Sequence, residues 1–91
     1  MKTRIHAFVK GRVQGVFFRA NTKKVAMELD LKGFVKNLSD GRVEIVAEGK
    51  EGNINEFMKF LKKGPESAKV TDFDIKKEKY SGEFARFEIR Y

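Results

Sequence analysis

The centre of this chain constrains its fold most. Ser39-Asp40-Gly41 separates two strand-like runs, Gly33 to Ser39 and Arg42 to Glu48, and in the second Val43, Ile45 and Ala47 face one way. An Asp-Gly pair between two such runs is a strong hairpin signal, because the favoured tight turns need positive φ at their central residues. A hairpin at this point divides the chain into two halves; each half adds one helix pattern and one more strand pattern, and the second half adds a further short strand pattern at its end.

In the first half, Lys2 to Val13 reads as a strand with Ile5, Ala7 and Val9 on one face and Arg4, His6, Phe8 and Lys10 on the other. Phe8 is then an apolar residue on the polar side, so either the strand is covered in part on both faces or Phe8 packs against a late strand. Phe18 to Asp30 reads as a helix whose stripe is Phe18, Thr22, Val25 and Leu29 with Ala26 beside it, closed by Asp30-Leu31-Lys32-Gly33. In the second half, Asn53 and Glu56 resemble a capping box with Asn53 as the cap. Ile54, Phe57, Met58 and Leu61 follow at helical spacing, and Gly64-Pro65 stops the run. Ala68 to Lys79 alternates through Thr71, Phe73 and Ile75, and Ala85 to Tyr91 alternates through Phe87, Ile89 and Tyr91.

The order βαββαβ plus a short C-terminal strand predicts an α+β, split βαβ architecture, an antiparallel sheet with both helices on one face and the other face comparatively open. Ninety-one residues without repeat, linker or low-complexity segment predict one domain, 1–91. The chain has no cysteine and no apolar run of signal or transmembrane length, so a soluble, cytoplasmic protein is expected, with neither disulfide nor thiolate metal site. Twenty Lys and Arg against thirteen Asp and Glu give a net charge of +7, which favours anionic partners without choosing among them.

Chemistry concentrates in Gly11-Arg12-Val13-Gln14-Gly15-Val16-Phe17-Phe18-Arg19, where the first strand breaks at glycine and a helix opens beside an arginine. Amides at a helix start lack internal partners and lie at the positive end of the macrodipole, so they can hold a phosphate. Arg19 would add a bidentate clamp. Gly11 and Gly15 allow positive φ and close approach of a ligand, while Val13, Val16 and Phe18 can pin the loop to the core. No Gly-Lys-Ser/Thr follows, so this is no Walker loop, and the spacing is not a dinucleotide fingerprint either. A glycine-containing turn with a surface arginine accounts for the same residues. Asn37, a poor strand former within Phe34-Val35-Lys36-Asn37-Leu38, either starts the hairpin turn with Ser39 and Asp40 or orients a water through its amide. His6 is the sole histidine, which leaves no metal-binding cluster and no nucleophile triad. Asp72 and Asp74 share a strand face and read as solvated surface.

Val9 to Arg19 contains the Gly-x-Val-Gln-Gly-Val-x-Phe-Arg loop of the acylphosphatases at every specified position, and Gly33-Phe34-Val35-Lys36-Asn37, followed by Gly41, Val43 and Gly49, resembles that family's second signature. The likeness runs the full length, through Phe87-Glu88-Ile89-Arg90-Tyr91, with Phe34 where many members carry tryptophan. The resemblance implies a ferredoxin-like fold and hydrolysis of the carboxyl-phosphate bond of acyl phosphates without metal or cofactor. It implies that Arg19 and the loop amides of Gln14, Gly15, Val16, Phe17, Phe18 and Arg19 bind the phosphate, and that Asn37 positions the attacking water. A small-molecule acyl phosphate is then the expected partner of a monomer, with neither membrane nor nucleic acid involved. An RNA-binding module shares the split βαβ plan, but it needs aromatics on the open strands, where only Phe8 and Phe34 stand.

Overall fold

The computed structural model describes residues 1–15 and 17–91. Its elements are β1 (Lys2–Arg12), α1 (Phe18–Glu28), β2 (Lys32–Asn37), β3 (Val43–Lys50), α2 (Glu51–Lys63), β4 (Lys69–Glu78) and β5 (Phe87–Arg90). They form one five-stranded sheet in the order β4-β1-β3-β2-β5. The expected α+β, ferredoxin-like plan is present. The sheet is mixed and not wholly antiparallel: β5 runs parallel to β2, with Gly33 opposite Phe87 and Lys36 opposite Arg90. The chain reaches β5 from β4 by crossing the sheet, which brings it in along β2's direction.

One face carries the core. Ile5, Ala7 and Val9 of β1, Val35 of β2, and Val43, Ile45 and Ala47 of β3 are buried beneath α1 and α2. The α2 stripe is as expected, with Ile54, Phe57 and Leu61 fully buried and Met58 packed beside them. In α1 the buried line is Phe18, Thr22 and Ala26, while Val25 and Leu29 are only partly covered. That rotation puts the smallest apolar residue against the sheet and allows close approach of the helix.

Two local expectations are corrected. The helix α2 begins at Glu51, directly after β3, with Lys50 as an extended N-cap that makes no side-chain bond, so Asn53 is not a cap. The Glu51 N–H instead donates to the Met1 carbonyl at 3.0 Å, and the N-terminal strand satisfies what a capping side chain would have done. In β4 it is Val70, not Thr71, that turns inward with Ile75, because the β1–β4 register slips between Lys10 and Gly11. A bulge there adds one residue to β4 and reverses its alternation. Gly11 sits at this slip with φ +128, and a Cβ on it would lie 2.0 Å from the Lys69 carbonyl oxygen. The close approach that Gly11 permits is therefore to strand β4 and not to a ligand.

The opposite face is less open than its pattern predicts. Residues 79–86 strap across it and bury Val46 and Glu48, both of which point away from the helices. Glu48 accepts hydrogen bonds from Ser81 N–H at 2.8 Å, Ser81 Oγ–H at 2.7 Å and Gly82 N–H at 3.1 Å, with the Arg4 guanidinium at 3.4 Å. Burial by itself pushes the Glu48 carboxyl up, but the bonds from Ser81, Arg4 and Gly82 together hold it below the ordinary glutamate value. Arg4 also pairs with Glu78 at 2.9 Å and with Glu83. Phe84 of the strap meets the Phe34 ring edge-on at 6.0 Å, and the Arg90 guanidinium lies 4.2 Å from the Phe34 centroid. Phe8 is half-buried beneath the Arg42 guanidinium, 4.6 Å away, and beside His6, which is 2.7 Å from Glu44. Phe8 and Phe34, the two aromatics noted on this face, thus both pack against other side chains of the chain.

Candidate active site

Two residues of the turn from β1 into α1 take left-handed backbone conformations. Val13 and Phe18 are buried and anchor the two ends of the loop, as expected of them. Gly15 takes φ +71, and Phe17, the N-cap of α1, takes φ 61 and ψ 20. Bulky side chains rarely adopt this left-handed region, so the surrounding structure must hold it. The Phe17 carbonyl accepts two hydrogen bonds from Asn21 one turn along, from the N–H and from Nδ2, each at 3.0 Å. No side chain caps α1 and no acid occupies its first turn, so its opening amides lack a competitor for an anion.

These residues open onto a cavity of about 290 Å³. Gly15, Phe17, Phe18, Arg19 and Ala20 line it from the loop and helix, and Asn37 lines it from β2. Arg19 is half-buried and makes no ion pair among the described residues, its guanidinium lying 4.8 Å from the Tyr91 ring centroid. Asn37 stands opposite Val43 at the last β2–β3 pair. Its Oδ1 is buried without a hydrogen-bond partner. The hairpin turn does not need that oxygen. It is closed by Leu38 N–H to the Arg42 carbonyl at 2.8 Å, and Asp40 accepts Arg42 N–H at 3.0 Å and Arg42 Nε–H at 2.8 Å. Of the two readings open for Asn37, turn formation is therefore supplied by other groups.

Among the residues singled out for the site, the structure brings Gly15, Phe17, Phe18, Arg19 and Asn37 to one cavity. Val16 lies outside the described residues. Gln14 is placed differently, with its side chain turned to the hairpin and Nε2 donating to the carbonyls of Leu38 at 2.8 Å and Arg42 at 2.9 Å. It ties the loop to the turn that follows Asn37. Ala20, Ile89 and Tyr91 also line the cavity and were not singled out as site residues. The parallel register that ends at Lys36 opposite Arg90 brings Tyr91 level with Asn37, a long-range fact that alternation within residues 85–91 cannot reveal. Among the described residues no three His, Cys, Asp or Glu side chains gather as a metal site, and no helix is long and apolar enough to cross a membrane.

Fold and cavity together define a class, a ferredoxin-like α+β domain with a cationic pocket at the turn between its first strand and first helix. A family model for acylphosphatase matches residues 5–89. An acylphosphatase of Syntrophus aciditrophicus is 46% identical over 91 residues, covering 100% of this chain and 95% of its own, and one of Syntrophotalea carbinolica is 49% identical over 88 residues, covering 97% and 96%. The crystal structure of acylphosphatase from Bacillus subtilis superimposes with a TM-score of 0.92 at 41% identity over 100% of both chains. The chain belongs to the acylphosphatase family, whose members are acyl phosphate hydrolases.

Proposed function

We propose that this cavity hydrolyses the carboxyl-phosphate bond, with the phosphate held by Arg19 and the loop amides from Gln14 through Arg19, and the water positioned by Asn37. What carries the reading is the meeting in one cavity of the Arg19 guanidinium, which makes no ion pair among the described residues, and the buried Asn37 Oδ1, which has no hydrogen-bond partner among them. A buried amide oxygen without a partner costs about 1–3 kcal/mol, and a water donating to it removes that cost. Water oxygen then bonds to phosphorus as the bond to the acyl oxygen breaks. The carboxylate departs with the electron pair, and the water's proton passes to a phosphate oxygen of the substrate. No described lining side chain is a carboxylate or imidazole, and an acyl phosphate demands none, because its leaving group is already a stable anion. Positioning and charge stabilisation supply the acceleration.

The test is phosphate release from benzoyl phosphate, in the presence and absence of EDTA. Arg19→Ala and Asn37→Ala should each lower kcat by roughly 10²–10³-fold, the effect of removing one transition-state donor. Near-parental turnover by either variant refutes the role given to that residue, and activity abolished by EDTA refutes the metal-free step.

A further inference from the structure

The Phe17 carbonyl receives more than it needs. The N–H of Asn21, one helical turn on, donates to it at 3.0 Å, which is the ordinary bond of an α-helix. The Asn21 side chain adds a second bond from Nδ2, also at 3.0 Å. This bond is exposed, where water would serve the same lone pair, so it satisfies no buried group. Asparagine is also a poor choice for the fourth residue of a helix, because its amide competes for backbone groups. What the second bond does supply is direction.

The carbonyl belongs to the peptide between Phe17 and Phe18. That peptide is trans and planar, so its C=O and the Phe18 N–H point opposite ways, and whatever restrains one restrains the other. The carbonyl points along α1 to Asn21, and the Phe18 N–H therefore points out of the first turn, at the end where Gly15, Phe17, Phe18 and Arg19 line the cavity. As the first helical residue, Phe18 has no acceptor for this N–H inside the helix. The change of hand from Phe17, at φ 61 and ψ 20, to the right-handed helix turns successive N–H groups toward one concavity suited to an anion. A single bond at the carbonyl lets the peptide plane rock, and a second donor from the same residue restrains it. Asn21 does not line the cavity itself. Resting on the function proposed above, we infer that Asn21 is a positioning residue, which acts through the Phe17–Phe18 peptide to aim the Phe18 N–H at the bound phosphate.

The test is the Kd of inorganic phosphate, read from ¹H–¹⁵N amide shifts well below the Tm, together with KM and kcat on benzoyl phosphate, for the parent, Asn21→Ala, Asn21→Asp and Asn21→Ser. The Phe18 amide should shift on titration of the parent. Asn21→Ala should raise Kd and KM together by roughly three- to tenfold, the size of one neutral hydrogen bond, with a smaller change in kcat because Arg19 and Asn37 stay in place. Asn21→Asp keeps the shape but has no donor, and should bind phosphate at least as weakly. Asn21→Ser can donate to the carbonyl four residues back and should return both constants to within twofold of the parent. A merely structural bond would lower the Tm and leave Kd and KM alone, and that outcome overturns the inference. So does Asn21→Ser binding as weakly as Asn21→Ala, or a Phe18 amide indifferent to phosphate. If the parent neither binds phosphate nor turns over benzoyl phosphate, the proposed function itself fails. If it does both and Asn21→Ala matches it within twofold, only the role of Asn21 fails.

Discussion

Replacing Glu48 by glutamine changes one atom's chemistry and almost no volume, which makes it a sharp probe of the strap. Oε2 takes both Ser81 donors and faces Arg4, whereas Oε1 takes the Gly82 N–H. The least costly glutamine rotamer sets its NH₂ at the Oε1 position, opposite the Gly82 N–H, and leaves that donor unpaired. An unsatisfied buried donor costs about 1–3 kcal/mol, and the loss of charge opposite Arg4 adds to it, so roughly 2 kcal/mol is expected at neutral pH. For a chain of this length that is a Tm lowered by about 8–16 °C. The pH dependence has a definite sign. Glu48 is held below its unfolded value, so the stability it contributes is complete above the ordinary carboxyl pKa of about 4.3 and is lost as pH falls through the depressed folded value. Urea unfolding of parent and Glu48→Gln between pH 7 and pH 3 reads both effects, and the gap between the two proteins should close as the pH drops. A midpoint shift below the equivalent of ~0.5 kcal/mol at pH 7, or a gap that stays constant with pH, would refute a charged anchor.

Gln14→Ala removes both bonds between the loop and the hairpin. It should cost about 1–2 kcal/mol in urea unfolding and lower kcat on benzoyl phosphate about tenfold or more with a smaller change in KM, since Asn37 loses its fixed distance from the cradle. Tyr91→Ala uncovers the Arg19 guanidinium. An exposed cation–π contact of about 0.5–1 kcal/mol predicts a two- to fivefold fall in kcat/KM, equal on acetyl and benzoyl phosphate, and selectivity between them would contradict that role. Gly11→Ala places a methyl group 2.0 Å from the Lys69 carbonyl oxygen at φ +128, so thermal unfolding should report a loss of at least ~2 kcal/mol, and a neutral result would deny the bulge its need for glycine.

Features legible in the sequence were those written within one turn or one strand. The hairpin at Asp40-Gly41, the Ile54-Phe57-Leu61 stripe and the inward line Ile5-Ala7-Val9 each depend on spacings of two to four residues, and each is present in the fold. The capping box failed for the complementary reason: Asn53 and Glu56 had the local pattern, but the Met1 carbonyl, fifty residues away in the chain, already served the Glu51 amide. Val70 displaced Thr71 because strand alternation counts residues on one strand, whereas a bulge is a property of two. The strap over β3 was hidden too, since nothing in the local spacing of Ser81 and Gly82 announces a buried carboxylate on the far side of the sheet.

The candidate site divides along the same line. By itself the sequence determined that a glycine-bearing turn leads into a helix with Arg19 in its first turn and no acid beside it, and that Asn37 stands where a strand meets a hairpin. Those are consequences of backbone geometry within a few residues. Only the tertiary structure decided that Asn37 and Arg19 share a cavity, that Gln14 spans loop and hairpin, that Tyr91 covers the guanidinium, and that the ring of Phe17 is left facing solvent at the mouth. The physical reason is that these relations are fixed by sheet order and register, β2 lying between β3 and β5, which arise from burying both helices on one face and appear in no local spacing.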